Sequence, residues 1–421
     1  MTTQPATAAP AAPAPATGRP ETLRQPTAPA PARPALVDPG GTMLAAVSYE
    51  GEQRFRLEEV PLPEIGDGDV LVRVEGAAIN YATLLRWRRF THFFRLPGVL
   101  GIHAAGTVAA VGRHAFGVEV GERVHVDPTL SCGRCAECIA DRRVSCREGV
   151  VVIASHPGPT ASEGALRRYA QYSWGSLAQY WRVPADALNR VPDHIPFTVA
   201  AGLGLLGVSY HSLSSARLPL DATVVLTGAT GGSGAAAVLA ATTFGVRRLI
   251  AVGRSARRLE ALRTLAPDIV EPLALEELPA DWADGGGLTR AIRDTTGGQG
   301  ADALLDFLPA GHTITTQALF GLASGSAAVM YGGDGSENLS FDYAHAMPVS
   351  QYRLLGERGH SRRDMLEILA HLQARRLDPT PLLTHRYPLT AINDAVDLLE
   401  RHQAGADITK WLVTIEPHQT L

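Results

Sequence analysis

TVVLTGATGGSGAAAVLAATTFG, residues 223–245, reads as a strand, a glycine-rich turn and a helix in direct succession. Its β-branched start has strand character, and the alanine-rich stretch after the glycines has helix character. Between them, Gly228, Ala229, Gly231, Gly232 and Gly234 leave the backbone free to turn tightly and approach a ligand. A phosphate at the head of the helix would meet free N–H groups and the positive end of the helix dipole. A second strand, RLIAVGR, follows at 248–254, where a βαβ unit requires one. The stretch therefore predicts dinucleotide binding, with these five residues at the pyrophosphate.

Downstream, ADALLDFL and SAAVMYGG are apolar enough for buried parallel strands, with helical stretches between them. This alternation predicts a doubly wound sheet over 197–340, with Asp306 at a strand end near the nicotinamide half. An NAD-specific site would carry a carboxylate after the second strand. Here Gly253 is followed by Arg254 and Ser255, which favour the 2′-phosphate of NADP(H). Arg257 and Arg258 read equally well as solvated residues of the next helix.

Upstream, MLAAVSYE, DVLVRVEGAAI, AGTVAAVG and ERVHVDP are short strand-like runs separated by turns, which suggests a barrel-like all-β region over 41–196. All 4 cysteines fall in SCGRCAECIADRRVSC, a lobe at 131–147 with C-x2-C-x2-C-x7-C spacing. Cys132, Cys135, Cys138 and Cys146 suit one tetrahedral zinc, and a closed four-thiolate shell makes it structural. A disulfide or a redox C-x-x-C pair are the alternatives. Residues 147–175 form a long connection, read as a lid over the site or else as a disordered loop, and residues 341–421 are read as a return to the first domain. Residues 1–40 hold 10 of the 29 prolines and read as a disordered tail.

The 421 residues allow two full cores. A net charge of −4 provides no basic field for nucleic acid. There is no apolar run of membrane-spanning length and no secretory signal, so a cytoplasmic protein acting on a small molecule is expected.

A barrel-like region, a four-cysteine lobe and a following nucleotide-binding unit together resemble the medium-chain dehydrogenase/reductase superfamily. PGVLGIHAAGTVAAVG at 97–112 and VGERVHV at 120–126 strengthen the resemblance, which covers about residues 43–417. It implies an α/β fold: a GroES-like β-barrel catalytic domain plus a Rossmann doubly wound parallel sheet. It also implies a homodimer through the edge strand of that sheet, taken here as SAAVMYGG, and a phosphate contact from Lys410.

Zinc alcohol dehydrogenases of the superfamily hold a second, catalytic zinc. Where its ligands would stand, this chain has Asn80, Ile102 and a position near Gly204, and all four cysteines are committed to the lobe. Asn80 looks like the quinone and enoyl reductase branches, though Thr83 replaces their usual aspartate and His103 replaces an acidic residue. Without a Lewis acid, hydride transfer from NADPH to an activated alkene, quinone or similar carbonyl compound is the easier reaction. Asn80, Tyr81, Thr83 and His103 are its candidate catalytic residues, with His103 as a proton donor near neutral pH. Two alternatives stand: a zinc alcohol dehydrogenase with atypical ligands, and a redox-dead NADPH-binding regulatory protein. The histidines at 156, 211, 312, 345 and 360 match no metal-binding spacing.

Overall fold

The computed structural model describes residues 41–89, 95–151, 161–333 and 338–419. The expected tail at 1–40 and residues 152–160 of the long connection lie outside the described residues. Runs bounded by turn residues become β1 (Thr42–Ser48), β2 (Arg56–Pro61), β3 (Asp69–Ile79), β4 (His103–Val111), β5 (Arg123–Val126), β6 (Tyr180–Pro184) and β7 (Leu188–Arg190). Helix α1 (Tyr81–Arg89) follows β3 directly. The long connection is not wholly loop: Ser162 caps α2 (Glu163–Gln171), which buries Ala165 and Tyr169.

Helix α3 (Leu203–Ala216) leads into β8 (Thr223–Thr227), α4 (Gly232–Ala241), β9 (Arg248–Gly253), α5 (Ala256–Leu262), β10 (Val270–Ala274), β11 (Ala301–Asp306), β12 (Leu322–Met330) and β13 (Arg353–Gly356). The last elements are α6 (Arg362–Gln373), β14 (Leu383–Pro388), α7 (Ile392–Gln403) and β15 (Leu412–Glu416).

Strands β8–β13 form one six-stranded sheet in the order β10-β9-β8-β11-β12-β13, parallel throughout. The strand order reverses between β8 and β11, which places a crevice at their carboxyl ends beside the glycine turn. Strand β12 is paired on both sides, so SAAVMYGG is not an edge strand. The short RLLG segment, β13, takes the edge instead. It was too brief to stand out in the sequence.

The second large sheet runs β7-β5-β4-β3-β15-β14, with β6 on β3. The chain returns to it later than residue 341. Strand β13 extends the parallel sheet, and Met365, Ile368 and Leu372 of α6 share a core with Leu206 and Leu213 of α3. Only β14 and β15 rejoin the second large sheet, parallel to each other, with Val413 facing Ile79 across an antiparallel pair.

Ala105 of β4 pairs with His125 of β5, so His103, Ala105 and His125 share one face. That face meets α3, since Ala105 lies in a core with Leu203 and Leu206, whereas Ala104 and Val126 point into the separate core of the barrel side. No helix among the described residues is long and apolar enough to cross a membrane.

Candidate active site and metal lobe

The glycine turn has the form its residues require. Gly228 sits at φ +68, a left-handed conformation, and a Cβ there would lie 2.9 Å from the Phe307 carbonyl carbon. A Cβ on Gly234 would lie 2.4 Å from the Gly228 oxygen, so the turn packs directly on the helix. Ala229 is fully buried. Gly231 is the N-cap of α4, and no side chain caps that helix. Its first N–H groups have no intrahelical acceptor. The residues present therefore fit a dinucleotide pyrophosphate.

Beside this turn lies a group of cations. A Cβ on Gly232 would come within 2.6 Å of the Trp411 oxygen, which brings Lys410 next to the head of α4. Lys410 is buried, and burial pushes its pKa down to about 8. No carboxylate among the described residues forms an ion pair with it. Burial, and then the Lys410 ammonium, hold His402 down to about 4, with Arg258 and Arg254 adding to the effect. His402 Nδ1 donates to the Ile408 carbonyl at 3.0 Å, which fixes the ring.

Arg258 is buried, its Nε has no hydrogen-bond partner, and burial and the Arg254 charge lower its pKa. It is therefore not the solvated residue that its place in the sequence allowed. Arg257 is that residue, exposed and paired with Asp407. The Ser255 hydroxyl accepts from the Arg258 N–H and serves as the cap of α5. Asp306 has a structural position as well: its carboxylate accepts from Thr227 Oγ1 at 2.5 Å, Thr315 Oγ1 at 2.9 Å and the Leu308 N–H at 3.1 Å. Sequence spacing located Asp306 correctly at the strand end but could not show which hydroxyls would face it.

The candidate catalytic residues divide into two groups. Asn80 Oδ1 accepts from the Thr83 N–H at 3.0 Å and from Thr83 Oγ1 at 3.2 Å. Both residues thus form the cap of α1, the local use that short polar side chains favour, and only the Asn80 amide nitrogen is left for a ligand. Tyr81, the first residue of α1, is half-buried against the barrel-side core.

His103 is buried, and its strand position pairs with Ala78, two residues before Asn80. A Cβ on Gly204 would lie 2.3 Å from His103 Nδ1 and 2.7 Å from its Cε1. The imidazole thus occupies the space that a side chain at 204 would need. One turn along α3, Gly207 accommodates the buried His360 ring in the same way. His125, fully buried on the shared face, is pushed down to about 3 by burial, and neither ring nitrogen has a hydrogen-bond partner. Histidine count and spacing gave no sign of this grouping, because it forms across two sheet strands, a helix and a loop.

In the lobe, Cys132 and Cys138 Sγ are 3.9 Å apart, Cys135 and Cys138 3.5 Å, and Cys135 and Cys146 3.8 Å. A tetrahedron of thiolates around zinc with bonds near 2.3 Å has S···S edges of about 3.8 Å. These sulfurs are unbridged, and among the described residues no other group brings three or more such donor atoms within 4.8 Å of one another. Backbone N–H groups, first that of Arg134, hold Cys132 down to about 6, while burial pushes Cys146 up to about 12. A divalent cation among them would favour all four thiolates.

A family model for the alcohol dehydrogenase GroES-like domain matches residues 66–193. An L-threonine 3-dehydrogenase of Anaeromyxobacter sp. (strain Fw109-5) is 27% identical over 374 residues, covering 86% of this chain and 98% of the relative. The crystal structure of an NAD-dependent alcohol dehydrogenase superposes with a TM-score of 0.73 at 25% identity, covering 89% of this chain and 100% of the other. A Sinorhizobium meliloti 1021 protein bound to NADP shares the fold with a TM-score of 0.73 at 20% identity, over 90% and 100% of the two chains. With a GroES-like region, a parallel nucleotide-binding sheet and a four-cysteine lobe in this order, the chain belongs to the medium-chain dehydrogenase/reductase superfamily and is an oxidoreductase of the dehydrogenase type.

Proposed function

We propose that the protein transfers hydride from NADPH to a small molecule whose double bond is already polarised, a quinone or an α,β-unsaturated carbonyl compound, without a catalytic metal. The observation that carries this reading is the state of the three donor positions. Asn80 is used in a helix cap, Ile102 has no donor atom, and the place of a side chain at 204 is filled by the His103 ring. The dinucleotide supplies the hydride. The glycine turn and Lys410 hold its pyrophosphate, and Arg254 with Arg258 favours the 2′-phosphorylated form. The Asn80 amide nitrogen and the Tyr81 hydroxyl donate to the acceptor oxygen as charge develops on it. His103, one residue beyond Ile102, supplies the proton that completes the reduction.

A second reading, oxidation of an alcohol with a catalytic zinc, draws on the likeness to an L-threonine 3-dehydrogenase and an NAD-dependent alcohol dehydrogenase. The zinc-to-protein ratio by elemental mass spectrometry, paired with substrate panels, separates the two. One zinc per chain with NADPH consumed by quinones or enones supports the first. Two zincs with NAD(P)+ reduced by secondary alcohols supports the second. Tight NADPH binding without turnover on either panel would leave a dinucleotide-binding module only.

A further inference from the structure

The first turn of α6 accounts for all four of its leading N–H donors. Ser361 N–H donates to Asp364 Oδ2 at 2.8 Å, and Asp364 N–H donates to Ser361 Oγ at 3.0 Å, a reciprocal capping box. The two donors between them go elsewhere. Arg362 N–H and Arg363 N–H donate to the two carboxylate oxygens of Asp141, each at 2.9 Å. Asp141 belongs to the cysteine lobe, three residues after Cys138, and sits at φ 57 just after Ala140, the C-cap of the short helix Ala136–Ile139. A carboxylate at a helix N-terminus meets both the free donors and the dipole.

Two residues further on, the lobe is fastened on its other side. The buried Arg143 guanidinium donates to Asp127 at 2.8 Å, the Thr129 carbonyl at 2.7 Å and Ser131 Oγ at 3.0 Å, at the end of β5. Val144 packs on the turn before α6, where a Cβ on Gly359 would lie 2.8 Å from its Cγ1. Helix α6 is in turn tied to α3: Asp364 bonds His211 Nδ1 at 2.7 Å, and Tyr210 O–H donates to Glu367 at 3.0 Å. The head of α3 carries Gly204 against His103.

We infer that Asp141 makes the cysteine lobe a strut between the barrel side and the dinucleotide side of the molecule. A metal held by Cys132, Cys135, Cys138 and Cys146 would order the lobe backbone. Asp141 passes that order to α6, and α6 with α3 sets how the two halves face a bound dinucleotide. Asp141 is thus a positioning residue. The affinity part of the test rests on the dinucleotide reading above, whereas the part read at α6 does not.

The test uses the full chain and Asp141→Ala, with Asp141→Asn as a milder variant that keeps one acceptor oxygen. Zinc content, hydrogen exchange of residues 361–366 against β8 as internal reference, and NADPH affinity by fluorescence quenching are measured. In zinc-loaded Asp141→Ala, exchange at the head of α6 rises about five- to tenfold, as for loss of a good cap, β8 is unchanged, and NADPH Kd rises by a similar factor. Asp141→Asn lies between. Chelating the metal from the wild type reproduces the change at α6 and adds nothing in Asp141→Ala, the non-additivity of a shared element. Unchanged exchange at α6 in either zinc-loaded variant overturns the inference, as does chelation that leaves α6 protected. Faster exchange at α6 with unchanged Kd reduces Asp141 to an ordinary cap and also overturns it, and loss of protection across β8 does so by showing global unfolding. If Asp141→Ala does not fold, Asp141→Asn decides by the same criteria. A wild type that binds neither NADPH nor NADH refutes the dinucleotide reading, and the exchange cycle then decides the strut alone.

Discussion

Replacing Gly204 by alanine tests the reading of the site most directly. Gly→Ala within a helix ordinarily stabilises by about 0.5–1 kcal/mol. Here the new Cβ would stand 2.3 Å from His103 Nδ1, more than 1 Å inside ordinary contact, and the ring is buried with little room to retreat. Overpacking of this kind costs about 1–3 kcal/mol, which set against the helical gain leaves a net loss of up to about 2.5 kcal/mol. At about 2–4 °C per kcal/mol, Gly204→Ala should melt below the wild type, by up to about 10 °C, in a calorimetric scan. His103→Ala in the same chain removes the clash, so the double variant should recover most of what Gly204→Ala loses, with a coupling above about 0.5 kcal/mol. A Gly204→Ala protein as stable as the wild type, or a double variant whose losses simply add, would refute the placement of His103. With it would fall the argument that position 204 has no space for a metal ligand.

Lys410 predicts opposite pH responses for stability and for binding. Its folded pKa of about 8 lies below the ordinary 10.5, so between these values the unfolded chain keeps a proton that the folded chain has released, and stability rises with pH across that window. Dinucleotide affinity falls over the same range as the ammonium is lost, and Lys410→Met should flatten both profiles in parallel urea and fluorescence titrations. Arg258→Ala should weaken NADPH by about tenfold or more, the worth of one charge-assisted bond, and leave NADH within twofold; equal effects on both would remove Arg258 from the 2′-phosphate. Arg143→Met strands the buried Asp127 carboxylate, so a loss of about 3–5 kcal/mol is expected from urea midpoints, partly restored by adding Asp127→Leu.

Several strands were legible because local pattern suffices to form them. DVLVRVEGAAI became β3 and the 223–245 stretch became β8, the turn and α4, since apolar runs, glycines and caps act over a few residues. The lobe was legible for the same reason, as its four cysteines lie within fifteen consecutive residues. VEPLA and RLLG were missed as strands: the first contains a proline, the second is four residues long, and both depend on neighbours in the sheet. The chain's return to the second large sheet was placed too early because β13 and α6 find their partners only in the folded sheet.

Sequence by itself determined the class of fold, the glycine turn and the cluster of four cysteines, where each signal is carried by residues adjacent in the chain. Tertiary structure alone decided which polar groups are available. It spent Asn80, Thr83 and Ser255 on helix caps and Asp306 on two threonines, buried Arg258 among other cations, set His103 into the space of residue 204, and joined Asp141 to a helix 221 residues away. Hydrogen bonding and burial act at a few ångströms in space, and the chain brings these partners together only once both sheets and their helices have packed.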